Sequence, residues 1–271
     1  MKKSNFKTFA AGIFFSLLIN CVTAQTYLFQ GLPQPKPQLS LRFMHPDFKY
    51  GSDLSTLSGI YDLSVNIPIS QKLNLVASFP YMTFKVNENS ESGVGNIFMG
   101  LQTYRELSKG ASSVGSFGLY LPTAGEDYSG LLGAFTHYIG YPKYVNDLLT
   151  FYGNYAYVSR TPKGFRLGLE IGPNIVIPID DGGDTEVLAH YGFTFGFQDE
   201  NFAVLSELMG LVIITEEADD FGDRFLHSLD FGFTYLRYSV KPGIFYKLYL
   251  KEDFSDMVEG VLGIKVDVAI D

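Results

Sequence analysis

Hydrophobic and polar residues alternate along most of the chain from Leu39 onward. In the segment 165–177, Phe165 and Leu167 occupy one set of positions, and Arg166 falls in the set between them. A period of two residues places the two sets on opposite faces of a β-strand. The pattern therefore predicts strands that each have one apolar face and one polar face.

The alternation recurs in twelve segments, and the connections between these segments alternate in length. The predicted strands are 39–45, 57–67, 73–84, 94–107, 113–122, 148–158, 165–178, 187–197, 202–215, 225–237, 240–250 and 258–270. One set of connections is short, and the other set comprises the longer segments 46–56, 85–93, 123–147, 179–186, 216–224 and 251–257. Short turns at one end and long loops at the other, with an even strand count, are typical of a bacterial outer-membrane barrel.

The predicted fold class is therefore all-β, a transmembrane antiparallel up-and-down β-barrel of about 12 strands. Tilted strands of about ten residues match the thickness of a hydrocarbon core, and a closed barrel satisfies its backbone polar groups there. A secreted β-sandwich or a soluble barrel is the alternative. Within segment 73–84, Phe79 is expected to face lipid and Asn74 the lumen. Pro80 removes a ladder donor, so a β-bulge is expected beside it.

The first 24 residues have the features of a secretory signal peptide, namely a basic start, an apolar segment and a small-residue cleavage site after Ala24. Residues 25–38 are rich in proline and predict a periplasmic lead-in, and residues 39–271 form the predicted barrel. Cys21 is the one cysteine of the chain. It is either lost with the signal peptide or, as the alternative, lipidated there.

Composition narrows the expected location and partners. Charged residues make up only 18% of the chain, yet no apolar run is long enough for a membrane-spanning helix. Removal of the signal peptide leaves 17 basic against 29 acidic residues, a net charge of −12, which disfavours nucleic acid as a partner. We expect the outer membrane of a Gram-negative bacterium, with lipid and lipopolysaccharide as partners. The small-molecule solute and the oligomeric state stay open.

The polar set of strand positions faces the interior of a barrel. The ionisable residues predicted to line the lumen are Arg42, Asp62, Glu106, Arg166, Glu170, His190, Glu207, Asp230, Lys241, Lys247, Lys265 and Asp267. They either line a pore and set its selectivity, or form a salt-bridged plug, because charges in a low-dielectric interior must pair. Glu207 lies in an otherwise apolar strand, and its partner is expected to be a neighbouring Lys or Arg.

The long loops carry 19 of the 29 acidic residues against five basic ones. Two runs stand out, with the acidic residues Asp180, Asp181, Asp184, Glu216, Glu217, Asp219, Asp220 and Asp223. Carboxylates are ligands for hard cations, but neither run has the ordered spacing of a calcium loop. The sequence therefore favours solvated loops and predicts no metal and no cofactor.

Enzyme motifs are missing from the sequence, which contains no G-x-S-x-G and no phosphate-binding glycine loop. His45, His137 and His190 lie far apart in the sequence, without metal-ligand spacing. His227 falls on the apolar face of its strand, as a lipid-facing catalytic histidine would, but no serine motif accompanies it. We therefore predict that the chain is not an enzyme.

Four segments are distinctive enough to compare with a known family: PISQKLNLVASFPY, SGVGNIFMGLQTY, GLYLPTA and VKPGIFYKLYLKEDFSDMVEGVLGIKV. They resemble segments of the outer-membrane barrels associated with the meta-cleavage pathway of phenol degradation and with transport. Asn96 departs from the Asp, and Ala124 from the Gly, of that family's pattern. The C-terminal residue is not the usual aromatic. The resemblance implies passage of small solutes, hydrophobic or aromatic ones among them.

The predicted function is an outer-membrane channel or transporter for passive passage through a narrow, charge-lined lumen. Loop 123–147 is long and rich in tyrosine, and it is expected to gate the channel, because long loops in compact folds are usually functional. The alternative is a non-conducting barrel with a structural or surface-interaction role, acting through its acidic extracellular loops.

Overall fold

The computed structural model describes most of the chain beyond the predicted signal peptide, namely residues 36–49, 54–86, 89–107, 110–126, 128–180, 183–215 and 224–270. The signal peptide and nearly all of the predicted lead-in therefore lie outside the described residues. Within these ranges, no helix has both the length and the apolar character that crossing a membrane requires.

The described residues form thirteen β-strands, and every neighbouring pair is antiparallel. The strands are β1 (Gln38–Phe48), β2 (Gly59–Ser70), β3 (Leu73–Val86), β4 (Asn89–Val94), β5 (Ile97–Leu107), β6 (Ala111–Leu121), β7 (Leu148–Arg160), β8 (Phe165–Pro178), β9 (Glu186–Gln198), β10 (Phe202–Ile213), β11 (Phe225–Tyr235), β12 (Val240–Tyr249) and β13 (Val258–Ala269). Three helical segments accompany them: α1 (Tyr128–Thr136), the 3₁₀ segment η1 (Tyr138–Lys143) and α2 (Glu252–Ser255).

Twelve of these strands form a closed ring. Each strand pairs with the next along the chain, β3 pairs with both β2 and β5, and β13 returns to β1. β4 is an additional strand that pairs with the outer end of β3. The ring confirms the predicted all-β, up-and-down transmembrane barrel.

Burial alternates along the strands, as the sequence pattern predicts. In β8, exposed and buried residues alternate for twelve consecutive positions. Phe165 and Ile171 are more than 60% exposed on the outer face, whereas Arg166 and Glu170 are buried on the inner face. Because the ring leaves no unpaired edge, its apolar outer face can meet hydrocarbon without exposing backbone polar groups.

The prediction for 85–107 was wrong in its boundaries. The supposed loop 85–93 is the end of β3 followed by β4, and the supposed strand 94–107 is broken at Gly95 and Asn96 before β5 begins. Turn and strand residues there are mixed, so alternation alone did not separate a hairpin from a loop. β1 also extends to Phe48, through Pro46, beyond its last pair with β2 at Met44.

The β-bulge expected beside Pro80 lies on its β4–β5 side, where the pairing shifts by one residue between Tyr81–Val94 and Ser78–Phe98. Pro80 pairs with Asp62 in a continuous β2–β3 register, and that register shifts only near the turn, between Pro68 and Ser70. The carbonyl of Pro80 accepts a hydrogen bond from the Gly95 N–H at 2.8 Å. The missing donor of Pro80 therefore faces the break between β4 and β5, where no ladder donor is needed.

Candidate functional site

The connection between β6 and β7 folds back into the barrel. Leu132, Tyr138, Ile139 and Tyr144 of this connection are each 4% exposed or less. Tyr138, Ile139 and Tyr144 belong to a buried apolar cluster of the inner wall, which also includes Met44, Ile60, Met82, Leu188, Met209, Leu211, Phe245, Tyr249, Val258 and Val261. We call residues 128–145 the plug, because they fill the lumen at its long-loop end.

One side of the plug contacts β12 and α2. The Lys247 ammonium donates to Nδ1 of His137 at 2.9 Å, and the Tyr249 hydroxyl donates to the carbonyl of Thr136. The ring of Tyr138 packs on Tyr249, with centroids 4.9 Å apart, and on Phe254 at 5.0 Å. The end of α1 and the start of η1 are thus held by both polar and aromatic contacts.

A buried ion pair joins the plug to β2. Lys143 Nζ donates to Oδ2 of Asp62 at 2.8 Å, and the two side chains are 1% and 6% exposed. Asp62 lies opposite Arg42 in the β1–β2 register. Strand alternation could not identify Lys143, because it lies in a loop. The one feature of the sequence that could have drawn attention to Lys143 is that 123–147 contains no other Lys or Arg.

Most of the predicted lumen residues lie inside the barrel. Nine are 6% exposed or less: Asp62, Arg166, Glu170, His190, Glu207, Asp230, Lys247, Lys265 and Asp267. Arg42 and Lys241 are half-buried. Glu106 is exposed, since it lies one residue from the end of β5, where solvent reaches the rim of the barrel. It keeps the inward parity of Gln102 and so lies at the solvent-exposed mouth of the barrel.

The charged residues of β10 to β13 lie close to one another. Across these strands, Glu207 lies opposite Asp230, and Asp230 lies opposite Lys247, with 3.8 Å between the charged atoms of the latter pair. Lys265 Nζ is 3.9 Å from Oδ2 of Asp267. The expected partner of Glu207 was a Lys or Arg. In the structure, Oε1 of Glu207 accepts a hydrogen bond from the hydroxyl of Thr194 at 3.0 Å.

Aromatic and amide side chains face the plug from the opposite wall. The rings of Tyr152 and His190 are parallel, with centroids 5.2 Å apart, and Phe98 and Tyr120 pack beside Tyr152. The amide of Asn174 is 3.3 Å from Nδ1 of His190. A cavity of about 20 Å³ separates these side chains from the plug, which is the room of about one water molecule.

Several inward-facing polar atoms of this wall are buried without a protein partner. They include Oδ1 of Asn174 and Nε2 of His190, whereas the Glu170 carboxylate lies beside the amide of Asn154 and the charge of Arg166. Buried polar atoms in folded proteins bind protein, water or ligand, because leaving them unsatisfied is costly. This part of the lumen is therefore chemically suited to water or a polar solute.

The four histidines do not form one centre. His137 and His190 border the same cavity, although 52 residues separate them, and His45 belongs to β1. His227 lies at the long-loop end of β11, where it hydrogen-bonds the hydroxyl of Tyr191. Within the described ranges, no three His, Cys, Asp or Glu side chains are grouped as metal ligands.

The predicted acidic loops are described only in part. Asp180 and Asp184 are exposed to solvent. The remaining predicted residues lie outside the described residues: Asp181, Glu216, Glu217, Asp219, Asp220 and Asp223. Of the loop tyrosines, Tyr138 and Tyr144 are buried in the plug, and Tyr141 donates a hydrogen bond to Glu186 at 3.2 Å.

A closed ring with an apolar exterior and a charged, plugged interior defines a transmembrane β-barrel of the outer-membrane type. No protein-family model matches the sequence, and no curated protein sequence matches it.

Solved structures resemble the whole barrel. The COG4313 outer membrane channel from Pseudomonas putida F1 aligns with a TM-score of 0.63 at 13% identity, over 91% of this chain and 100% of that chain. The NanC porin aligns with a TM-score of 0.56 at 10% identity, over 86% of this chain and 100% of that chain. LpxR from Salmonella typhimurium aligns over the same shares with a TM-score of 0.50 at 10% identity. At such identities the likeness shows the fold.

Proposed function

We propose that the chain is an outer-membrane channel for the passive passage of small solutes, with a lumen narrowed by the plug. The observation that carries this proposal is the set of buried polar atoms facing the lumen without a protein partner, among them Oδ1 of Asn174 and Nε2 of His190. A barrel closed only for stability would pair such groups or replace them with apolar ones. A conducting lumen instead satisfies them with water and solute.

The proposed solutes are small, and hydrophobic or aromatic molecules are among them. This choice rests on the resemblance of four segments to the meta-pathway barrels and on the aromatic wall around Tyr152. Two similar structures are named as a channel and a porin, which agrees with passage but leaves the solute open. Exposed Asp180 and Asp184 lie on a long loop, where negative charge would disfavour anions.

The proposed location is the outer membrane of a Gram-negative bacterium, after removal of residues 1–24. Lipid and lipopolysaccharide would then contact the apolar outer face and the long loops. No catalytic role is proposed, because neither His227 nor the other histidines are accompanied by a nucleophile motif.

A non-conducting barrel is the second candidate, and the docked plug favours it. The buried Lys143–Asp62 pair and the apolar packing of Tyr144 hold the plug in place. If the plug never moves, the interior is closed at its long-loop end and any function belongs to the acidic loops.

Planar-bilayer recording of two proteins separates these candidates. In the test variant a short Gly–Ser linker replaces the plug, residues 128–145, and in the control the same linker replaces the exposed residues 183–185. We expect discrete conductance steps from the unaltered protein and the control. The test variant should give steps several-fold larger and admit larger solutes in liposome swelling. Silence from all three proteins, each shown to be folded by heat-modifiable gel migration, would establish the non-conducting barrel.

A further inference from the structure

Asn96 lies in the break between β4 and β5, next to both ends of the plug. Its side chain is fully buried. Its Oδ1 accepts hydrogen bonds from the N–H groups of Thr123 and Ala124, each at 2.9 Å. Its Nδ2 donates to the carbonyls of Pro142 at 2.8 Å and Val145 at 2.7 Å.

These four bonds use the whole capacity of a primary amide, which has two donors and two acceptor lone pairs. Thr123 and Ala124 precede α1, whereas Pro142 lies near the end of η1 and Val145 follows it. One side chain therefore binds the chain where it enters the lumen and where it leaves.

Backbone groups next to Asn96 also contact the two ends of the plug. The Asn96 N–H donates to the carbonyl of Lys143 at 2.6 Å. The hydroxyl of Thr123 donates to the carbonyl of Gly95 at 2.8 Å and accepts from the N–H of Ile97 at 2.9 Å. A Cβ on Gly95 would overlap the Lys143 carbonyl, so this close approach requires glycine.

We propose that Asn96 is the residue that positions the plug, acting as a latch on both of its ends. The importance of this latch for passage rests on the proposed function. Its role in docking the plug does not. Docking depends on an amide, because an isosteric carboxylate has no donor and would face the carbonyls of Pro142 and Val145 with negative charge. Asn96→Asp should therefore release the plug without altering the size of the side chain.

Thiol labelling tests the latch independently of conductance. Thr136 is fully buried at the end of α1, so a Thr136→Cys reporter in a Cys21→Ser background should react slowly with a membrane-impermeant maleimide. Adding Asn96→Asp should raise the labelling rate by about 10-fold or more, since two buried bonds are lost. Asn74→Asp is the matched control. It puts the same charge on a buried lumen amide that bonds Asn66 at 2.7 Å and makes no described hydrogen bond to the plug.

The outcomes separate the latch from the channel. Faster labelling with Asn96→Asp but not with Asn74→Asp supports the latch, even if neither protein conducts, and in that case the proposed function alone fails. An unchanged rate in a folded Asn96→Asp barrel overturns the latch, whatever the conductance. If Asn96→Asp does not fold, Thr123→Val replaces it. That change removes the hydroxyl bonds to Gly95 and Ile97, and no rise in labelling there also overturns the proposal.

Discussion

Lys143 illustrates what a single buried charge contributes to this lumen. Its side chain is 1% exposed and its ammonium bonds Asp62, so Lys143→Met leaves a buried carboxylate that keeps Arg42 as a charged neighbour. Breaking one side of a buried ion pair costs about 3–5 kcal/mol, and we expect the lower end of that range because Arg42 remains. Urea unfolding in detergent micelles measures this loss in the free energy of unfolding.

The double variant Lys143→Met with Asp62→Asn is the control for that prediction. Removal of both charges should recover most of the lost stability, because the fully buried carboxylate is gone and half-buried Arg42 can still reach water. A double variant as unstable as the sum of the two single changes would mean that the pair contributes packing and not charge.

We expect His137 to make docking of the plug dependent on pH. This residue belongs to the loop and not to a spanning strand, and its pKa lies well below the usual 6.5. Burial is the main cause, and the positive charges of Lys247, Lys143 and Arg42 add to it. The released plug takes up the proton as the pH falls below 6.5, whereas the docked plug resists it. The contribution of neutral His137 to docking is thus fully present above this pH and decreases as the pH falls toward the depressed pKa.

Labelling of the Thr136→Cys reporter at pH 7.5 and pH 5.5 measures this effect, with each rate divided by that of the denatured chain at the same pH. We expect faster relative labelling at the lower pH. In His137→Gln the difference should disappear, because glutamine does not titrate and its oxygen can still accept from Lys247. Persistence of the difference in His137→Gln would assign it to another group.

At the scale of elements, β8 shows where a strand tolerates a side chain and where it does not. The β7–β8 pairing passes from Tyr152–Asn174 to Tyr155–Ile171, and the strands approach closely in between. A Cβ on Gly172 would overlap the carbonyl of Gly153 and lie 2.7 Å from Cα of Asn154.

Gly172→Ala should therefore destabilise the barrel by about 1–3 kcal/mol, the usual cost of overpacking, because backbone must move to accept the methyl group. Gly168→Ala is the matched control in the same strand and on the same face. Its nearest contact would be 3.3 Å, to Cβ of Thr194, and we expect a much smaller change. Equal urea midpoints for the two variants would contradict this account of the close approach.

The strands were predictable, and their interruptions were not. A period of two residues persists wherever one face meets lipid, so β8 and β9 could be placed within a residue of their ends. The break at Gly95 and Asn96 was not visible in the alternation of its own segment, and only the irregularity expected at Pro80 pointed to it. The break depends on the plug carbonyl of Lys143, which is distant in sequence, and local alternation cannot report a contact of that kind.

At the scale of the molecule, ring closure followed from even strand number and alternating connection length, but the content of the lumen did not. The inward set of wall residues came from parity. The plug could not be predicted in this way, because α1 and η1 are short and no repeat in 123–147 indicates which way the loop turns. For the same reason, sequence reasoning missed Lys143 and did not bring His137 and His190 together.

The plug divides the lumen into two unlike sides. Toward β12 and β2 it is held by the charged partners Lys247 and Asp62. Toward β6 and β7 it faces the rings of Tyr120 and Tyr152 across the small cavity. In the proposed channel, movement of the plug away from Tyr120 and Tyr152 would therefore open a path along the aromatic side.

The contacts of Asn96 also bear on the order of assembly. They join residues only 27 to 49 positions apart, whereas the bonds from Lys247 and Tyr249 to the plug span 110 and 113 positions. Closing a short loop costs less entropy, so β5, β6 and β7 can seat the plug while the ring is still open. The last pairing, between β1 and β13, would then close the barrel around a lumen that is already filled.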